Sequence, residues 1–265
     1  MSCSPNVKNS SYDFFDNIDT YIAEAKNIEN SIRDNTSDAN CNNFSNQHKS
    51  LGNKEKLKSL CNRFAILNKL LNAIKKENHN HCSFLNYWIN SEWNQPRFSE
   101  NNCISYVYIG LESHIQSNEE YNLIDCEYYD INKDELNKMN ILYNLYEKHS
   151  EINSIIVAKS DQNKQKLLTL STQCCADYND VIYTCNADNK SKNPEFCDKL
   201  EAFISKYNEL DNKVVGEEYN FSDYFIKLSD CPNNKIISTA VTGSIIGLIP
   251  LLGVLYKVSE LNIKI

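Results

Sequence analysis

The chain has 265 residues, a net charge of −8 at pH 7 and 41% apolar residues, a composition typical of a globular protein with a hydrophobic core. It contains only six glycines and five prolines, which disfavours a turn-rich β-sandwich, a collagen-like chain and a flexible linker protein. The acidic charge balance disfavours a nucleic-acid-binding protein, because phosphate contacts require clustered lysines and arginines.

Five segments repeat their apolar residues with the period of an α-helix and predict amphipathic helices. They cover residues 12–33, 57–75, 135–152, 162–185 and 194–210. The last of them begins with Asn193 as a capping residue and Pro194 in the first turn. Two shorter apolar runs, 83–90 and 103–116, are too short for the period to separate helix from strand, and we assign both as helices. The predicted fold class is therefore an all-α helical bundle.

Polar connections separate the predicted helices, and 39 asparagines are spread along the whole chain. The connections cover residues 34–55, 94–102, 186–193 and 211–234. Because the asparagines lie mainly on the polar faces of the periodic segments, we interpret their excess as a compositional bias of the source genome and not as disorder.

Near the end of the sequence, residues 236–256 form a run of 21 residues without a charge. A helix of this length spans about 30 Å, the thickness of the hydrocarbon core of a bilayer. Lys235 and Lys257 bracket the run, as basic residues do at the ends of membrane spans. The pattern predicts one transmembrane helix over 235–257, and the alternative is a buried core helix.

These boundaries predict a helical ectodomain over 1–210, a spacer over 211–234 and a short tail over 258–265 after the span. Within the span, Gly243 and Gly247 form a GxxxG motif, which permits close packing of two transmembrane helices. The span predicts the membrane as a partner of this chain, and the GxxxG motif indicates a homodimer as a second interaction.

Eleven cysteines precede the predicted span, so the redox compartment bears directly on function. Cys185 ends one predicted helix and Cys197 begins the next. An antiparallel hairpin would bring their Cα atoms to within about 6 Å, close enough for a disulfide. If bridges form, the long N-terminal part lies outside the membrane and the tail lies in the cytoplasm. The alternative is a domain in reducing cytosol, with its cysteines as small buried apolar residues.

The sequence offers few residues for catalysis or cofactor binding. His79, His81 and Cys82 are the densest set of metal-ligand types, but no second pair at zinc-site spacing accompanies them. No phosphate-binding glycine loop and no nucleophile motif occurs in the sequence. We therefore predict no enzyme activity and no cofactor, and keep an enzyme using these three residues as a third hypothesis.

Several motifs together resemble the Plasmodium interspersed repeat (PIR) superfamily, most closely its Vir branch. Residues 82–90 (CSFLNYWIN) resemble its Cys-x-x-Leu-x-x-Trp-Leu block, and residues 142–148 (LYNLYEK) resemble its central Leu-Tyr-x-Leu-Tyr helix. Residues 175–185, followed by 196–203, resemble its paired-cysteine hairpin. The span ending at 255–257 (LYK) resembles its membrane segment, although Val-Ser-Glu-Leu then replaces the family's Phe-Thr-Pro-Leu.

The resemblance implies a variant antigen of a blood-stage malaria parasite, with a disulfide-containing helical ectodomain and no enzyme activity. It implies a location at the infected red-cell membrane, in other parasite-made membranes or at the parasite surface. The expected roles are immune evasion and adhesion to a host protein receptor, and no binding residues can be transferred. The alternative function is an intracellular, membrane-tethered interaction or trafficking protein with a reduced cytosolic domain.

Overall fold

The computed structural model describes most of the chain and is built from helices. The described residues are 11–34, 39–74, 80–94, 102–116, 122–159, 161–215 and 220–231. Within them lie eight α-helices: α1 (Ile18–Asp34), α2 (Ala39–Gln47), α3 (Lys54–Ala73), α4 (His81–Trp93), α5 (Ile104–Ile115), α6 (Lys133–Ala158), α7 (Lys164–Val181) and α8 (Pro194–Asn208). About four fifths of the described residues are helical, and these residues contain no β-strand, although isolated bridge residues occur, such as the pair Val215 and Asn220. The all-α prediction is confirmed.

The described residues divide into two compact units, one that ends at Glu147 and one that begins at Lys148. The boundary lies inside α6, so this helix contributes residues to both units. The ectodomain predicted over 1–210 stays a prediction, and its described helices are distributed over an N-terminal and a C-terminal unit.

The core of the N-terminal unit is rich in aromatic side chains. The ring centroid of Phe14 lies 4.2 Å from that of Phe15 and 5.0 Å from that of Tyr87, and the rings of Tyr21 and Phe84 lie 4.4 Å apart. All five side chains are buried, and aromatic residues contribute large apolar areas to a core. Around this core α1 and α2 pack on α3, and α2 also packs on α5.

The C-terminal unit combines the end of α6 with α7, α8 and a later segment that contains two short 3-10 turns. Phe196, Phe203 and Tyr207 of α8 are buried in it. Residues 220–231, which fall in the predicted spacer over 211–234, also contribute to this core. Their buried side chains are Phe221, Phe225 and Leu228.

Each of the five amphipathic helices predicted from the sequence is present, with ends that differ by a few residues. Helix α3 begins at Lys54 because the side-chain oxygen of Asn53 accepts a hydrogen bond from the N–H of Glu55 at 3.0 Å and caps the helix. Helix α6 also begins earlier than predicted, after Asn132, whose side chain accepts from the N–H of Asp134 at 2.9 Å. The two short apolar runs assigned as helices are α4 and α5.

Helix α2 was not predicted, because it lies in the segment 34–55 that the sequence analysis assigns as a polar connection. Among the side chains described for this nine-residue helix, the buried apolar ones are Cys41 and Phe44, one turn apart. Two such positions in an asparagine-rich sequence do not establish a helical period. A disulfide from Cys41 to Cys61 fixes α2 on α3, which is long-range information that no local pattern contains.

The structure corrects the membrane-spanning part of the predicted fold class. No helix among the described residues is both long enough and apolar enough to cross a membrane. Helix α6 has the necessary length, with 26 residues, but it carries charges from its first turn onward, including Asp134 and Glu135. The predicted span over 235–257 lies outside the described residues. The supported fold class is all-α with disulfide bonds, and the transmembrane helix predicted with it is not retained.

Candidate functional site

Four disulfides join described cysteines, and each lies within a single unit. They are Cys41–Cys61, Cys82–Cys126, Cys175–Cys231 and Cys185–Cys197, with partners 20, 44, 56 and 12 residues apart and Cα distances of 5.3 to 5.5 Å. The predicted pair, Cys185 and Cys197, thus forms a disulfide, at the turn that leads into α8. Cys103 is also disulfide-bonded, and Cys174 is the one described cysteine with a free thiol.

The cluster of His79, His81 and Cys82 does not form the catalytic or metal site considered in the sequence analysis. His79 lies outside the described residues, and the sulfur of Cys82 is bonded to Cys126 and cannot act as a thiolate. His81 is buried, with its Nδ1 3.3 Å from the hydroxyl oxygen of Tyr21. No group of three or more metal-ligating side chains occurs in the part of the chain that the structure describes.

A pocket of about 300 Å³ opens beside His81 in the N-terminal unit. It is lined by Leu71, Asn72, Asn80, His81, Cys82, Ser83 and Ile124. These lining residues include no carboxylate and no free thiol.

An extended segment, residues 122–131, crosses α3 and α4, and asparagine side chains hold its main chain. We call this segment the strap and the asparagines its frame. The frame consists of Asn68 and Asn72 on α3 and of Asn86 and Asn90 on α4. Within each helix the two asparagines are four residues apart and share one helical face. Asn68, Asn86 and Asn90 are at most 2% exposed, so their amides are available to the strap and not to water.

The asparagine side chains of the frame both accept hydrogen bonds from the peptide groups of the strap and donate hydrogen bonds to them. The N–H groups of Ile124, Tyr129 and Ile131 donate to the side-chain oxygens of Asn68, Asn86 and Asn90 at 3.1, 3.0 and 3.0 Å. The side-chain nitrogen of Asn90 donates to the carbonyl of Tyr129 at 2.9 Å, and that of Asn72 donates to the carbonyl of Asn122. An asparagine amide carries one acceptor and one donor group, so it can pair with a peptide unit as a neighbouring strand would.

Two buried side chains and a disulfide anchor the strap to the helices beneath it. Tyr128 stacks on Tyr108 of α5 with ring centroids 3.9 Å apart, and Ile131 is buried at the end of the strap. Burial raises the pKa of the Tyr128 hydroxyl well above its ordinary value, so this anchor stays uncharged at physiological pH. Between the two ends of the strap, Cys126 is bonded to Cys82 on α4.

The acidic side chains of the strap have two different surroundings. Asp125 and Glu127 are exposed on either side of the strap disulfide. Asp130 is partly buried, and its carboxylate accepts a hydrogen bond from the N–H of Ile104 at 3.2 Å, where α5 begins. A carboxylate in this position satisfies a free N–H and interacts favourably with the helix dipole. Asp130 therefore has a structural role at the start of α5.

A second segment outside the α-helices, residues 220–231, lies in the C-terminal unit and contains two short 3-10 turns, and we call it the C-terminal segment. The N–H of Phe221 donates to the carbonyl of Val214 at 2.9 Å. The N–H of Ile226 donates to the hydroxyl of Ser171 at 2.6 Å, and its carbonyl accepts from the hydroxyl of Tyr207 at 2.9 Å. The ring of Phe225 stacks on Tyr207 with a centroid distance of 5.2 Å. This segment is held mainly by side chains that it buries.

Cys174 lies beside the bridged Cys175 on α7 but remains a thiol. Burial raises its pKa to about 12, so almost none of it is thiolate at neutral pH. A buried thiol of this kind is an inert packing residue and not a candidate nucleophile.

The sequence analysis missed the frame and assigned roles to residues that the structure does not describe. Gly243 and Gly247, the predicted packing motif, lie outside the described residues. The signal that could have revealed the frame is the pair Asn86 and Asn90, because both interrupt the otherwise apolar run at 83–90 with a helical spacing.

Comparisons with protein-family models, with curated proteins and with solved structures find no match for this chain. Membership of the PIR superfamily therefore stays a prediction from the sequence motifs. The functional interpretation rests on the disulfides, the frame and the strap.

Proposed function

We propose that this chain is the host-facing domain of a variable surface antigen of a blood-stage malaria parasite, acting in immune evasion and in adhesion to a host protein. The observation that carries the proposal is the set of four disulfides within the two units. Disulfides at this density are typical of proteins that act in an oxidising compartment, because cytosolic thiols are kept reduced. They favour an extracellular antigen over an interaction or trafficking protein with a cytosolic domain.

The positions of the motifs that resemble the PIR superfamily are consistent with this function. In the block 82–90, the motif residues Leu85 and Trp88 are buried, and in the block 142–148 Leu142 and Leu145 are fully buried. These residues hold the scaffold together and do not form a binding surface. A family of variable antigens would keep such a scaffold and change its exposed residues.

The mechanism that we propose is steric recognition and not chemistry. Loops of 12 to 56 residues are closed by the disulfides, and each closure is worth about 3 to 4 kcal/mol in the chain-entropy model. Stability supplied by cross-links and buried side chains does not depend on exposed residues, so these can change without unfolding the domain.

Differential alkylation followed by mass spectrometry tests the compartment. The protein is taken from its native source, unfolded in one alkylating reagent, reduced, and then treated with a second reagent of different mass. We expect Cys185 and Cys197 to carry the second label only, as partners in a disulfide do. Cys174 is the internal control, because it is a thiol in the folded protein and takes the first label on unfolding.

First-label modification of both Cys185 and Cys197 would contradict the proposal. It would place the domain in a reducing compartment and favour the trafficking alternative, since the geometry for the bond is present and only the redox potential would be missing.

A further inference from the structure

We propose that a cluster of lysines around the beginning of α3 binds a sulfated polysaccharide of the host-cell surface. The cluster consists of Lys49, Lys54, Lys56 and Lys58, and we call it the lysine patch. This inference extends the proposed function to a partner class that it does not name. Its choice of an extracellular partner rests on that function.

The lysine patch is a concentration of positive charge on an acidic chain. The whole sequence has 35 acidic and 27 basic residues, yet the ten residues that contain the patch include four lysines and a single acid, Glu55. Three of the four lysines are exposed, and Lys58 is partly exposed. Clustered lysines raise the local electrostatic potential and attract polyanions, of which heparin-like polysaccharides are one class.

The charges of the lysine patch are not neutralised by neighbouring side chains. Among the residues whose placement the structure describes, none forms an ion pair or a hydrogen bond with the side chain of a patch lysine. Lysines elsewhere in the chain do form ion pairs with carboxylates, namely Lys138, Lys148, Lys166, Lys190 and Lys227. The positive charge of the patch is therefore available to a partner outside the chain.

The position of the lysine patch on α3 is unfavourable for the stability of this helix. Lys54 and Lys56 lie in its first turn, where the helix dipole presents partial positive charge and disfavours cations. Lys54 and Lys58 are four residues apart and repel one another across one turn. A negatively charged partner would relieve both penalties, so the arrangement favours binding over a role in folding.

The arrangement of the four lysines fits a linear polyanion better than a single small anion. Lys54 and Lys58 share one face of α3, whereas Lys56 lies on a different face. Lys49 precedes them, in a short 3-10 turn before the helix. Because these charges do not converge on one point, a polymer with a sulfate on each repeat can contact more of them than one phosphate can.

An anionic bilayer is the less favoured partner. Segments that bind a membrane surface combine basic side chains with apolar side chains that enter the lipid. Leu51 and Leu57, the apolar residues that lie among the lysines, are at most 1% exposed and belong to the core. Anionic lipids are also concentrated in the cytoplasmic leaflet, whereas the proposed function places this domain outside the cell.

Binding of the full oxidised chain to heparin, a sulfated polysaccharide, tests the proposal. The patch variant is Lys54→Gln/Lys58→Gln, and the control variant is Lys133→Gln/Lys192→Gln, which removes the same charge at two exposed lysines. At about 0.15 M NaCl we expect the Kd for heparin to rise at least about tenfold in the patch variant and less than about twofold in the control. The slope of log Kd against log salt concentration should fall by about two units in the patch variant only, one for each lost contact.

The melting temperature separates a loss of binding from a loss of folding. The patch variant should melt at the temperature of the wild type or up to about 2 °C higher, because the glutamines remove the repulsion at the beginning of α3. A patch variant that melts more than about 2 °C below the wild type would give these lysines a structural role and overturn the proposal.

Three binding results would also overturn the proposal. They are a wild-type chain that does not bind heparin, an equal loss of binding in the patch and control variants, and equal binding to heparin from which the sulfates have been removed. Binding of the wild type to vesicles of phosphatidylserine and phosphatidylcholine, without binding to heparin, would assign the lysine patch to an anionic membrane instead.

The proposed function and this inference fail in different measurements. The heparin assay uses recombinant oxidised protein and does not depend on where the native protein resides. Reduced Cys185 and Cys197 in the native protein would overturn the proposed function and leave the measured heparin binding unchanged.

Discussion

The strap and the C-terminal segment show two ways of fixing a stretch of chain outside the α-helices on a helical unit. Each crosses helices of its own unit, and each is tied to a helix by one disulfide. The strap is bound along its length by four asparagine amides. The C-terminal segment has one hydroxyl-bound residue, Ile226, and buries Phe221, Phe225 and Leu228 instead.

The difference between them determines which residues are constrained. Where side chains provide the burial, their shape is fixed by close packing, and a change of one methylene group is felt. Where the main chain provides the contacts, the residue types are constrained in the side chains that bind it, which here are the asparagines of the frame. For these main-chain contacts the strap therefore places its sequence requirements on α3 and α4.

Removal of the disulfides is expected to have the largest effect and to weaken both segments equally. The two variants are Cys82→Ala/Cys126→Ala and Cys175→Ala/Cys231→Ala. Their partners are 44 and 56 residues apart, so the chain-entropy model gives a loss of about 4 kcal/mol for each in urea unfolding. The control is Cys185→Ala/Cys197→Ala, which removes a disulfide whose partners are only 12 residues apart. It should lower the free energy of unfolding by about 3 kcal/mol. A strap disulfide whose removal costs less than the control would show that the frame suffices to hold the strap.

Truncation of a buried side chain should separate the two segments. Phe225 is 7% exposed and stacks on Tyr207, so Phe225→Ala should lower the free energy of unfolding by about 3 kcal/mol. The matched strap variant is Asp125→Ala, which should change it by less than about 0.5 kcal/mol. Far-UV circular dichroism in urea measures both. Comparable losses in the two variants would remove the distinction between the segments.

The five long helices, α1, α3, α6, α7 and α8, were predictable from the sequence, because apolar periodicity is local information. The ends were less predictable, since caps such as Asn53 and Asn132 extend α3 and α6 beyond the apolar pattern. The disulfide between Cys185 and Cys197 was also predictable, because a short turn brings its two residues together. The other pairings join residues 20 to 56 apart, and such connectivity cannot be derived from cysteine spacing.

The frame was not predicted because an asparagine in a helix is normally assigned to the solvent-facing side. Asn68, Asn86 and Asn90 are buried, and the side-chain oxygen of each accepts a hydrogen bond from a main-chain N–H of the strap. Buried polar atoms normally have such a partner. These hydrogen-bond partners lie more than 30 residues away in sequence, so a local sequence pattern does not reveal them. The compositional bias proposed for the asparagines does not account for these three.

Substitution within the frame tests the main-chain mode of attachment. Asn90→Leu keeps the number and branching of the side-chain heavy atoms and removes the bonds to the N–H of Ile131 and the carbonyl of Tyr129. We expect a loss of about 2 kcal/mol, because buried peptide groups then lack partners. Both tryptophans, Trp88 and Trp93, belong to the N-terminal unit, so tryptophan fluorescence in urea reports on this unit directly.

The control for the frame is Asn137→Leu, an exposed asparagine of α6 in the same unit, for which we expect a change below about 0.5 kcal/mol. If both variants lost the same stability, the frame bonds would contribute nothing specific. If Asn90→Leu lost none, the strap would be held by Tyr128, Ile131 and the disulfide alone.

The smallest expected effect concerns His48, at the end of α2 in the N-terminal unit. Its ring lies beside Phe44 and His114, with ring centroids 5.0 and 5.7 Å away. The absence of a side chain at Gly110 allows this approach, since a Cβ there would lie 3.2 Å from the Cε1 atom of His48. Burial, and then the charge of the neighbouring His114, lower the pKa of His48.

This lowered pKa predicts an acid sensitivity of the N-terminal unit. Above about pH 7.5 His48 is neutral in both the folded and the unfolded chain, so its protonation does not lower the free energy of unfolding there. As the pH falls further, the unfolded chain takes up the proton first, and the free energy of unfolding decreases until the pKa of the folded state is reached. We expect the melting temperature followed by tryptophan fluorescence to fall between about pH 7.5 and pH 5.5, and to fall less in His48→Gln. Because His48 lies outside both the strap and its frame, an equal fall in the two proteins would assign the acid sensitivity to other groups and would leave the main-chain attachment of the strap untouched.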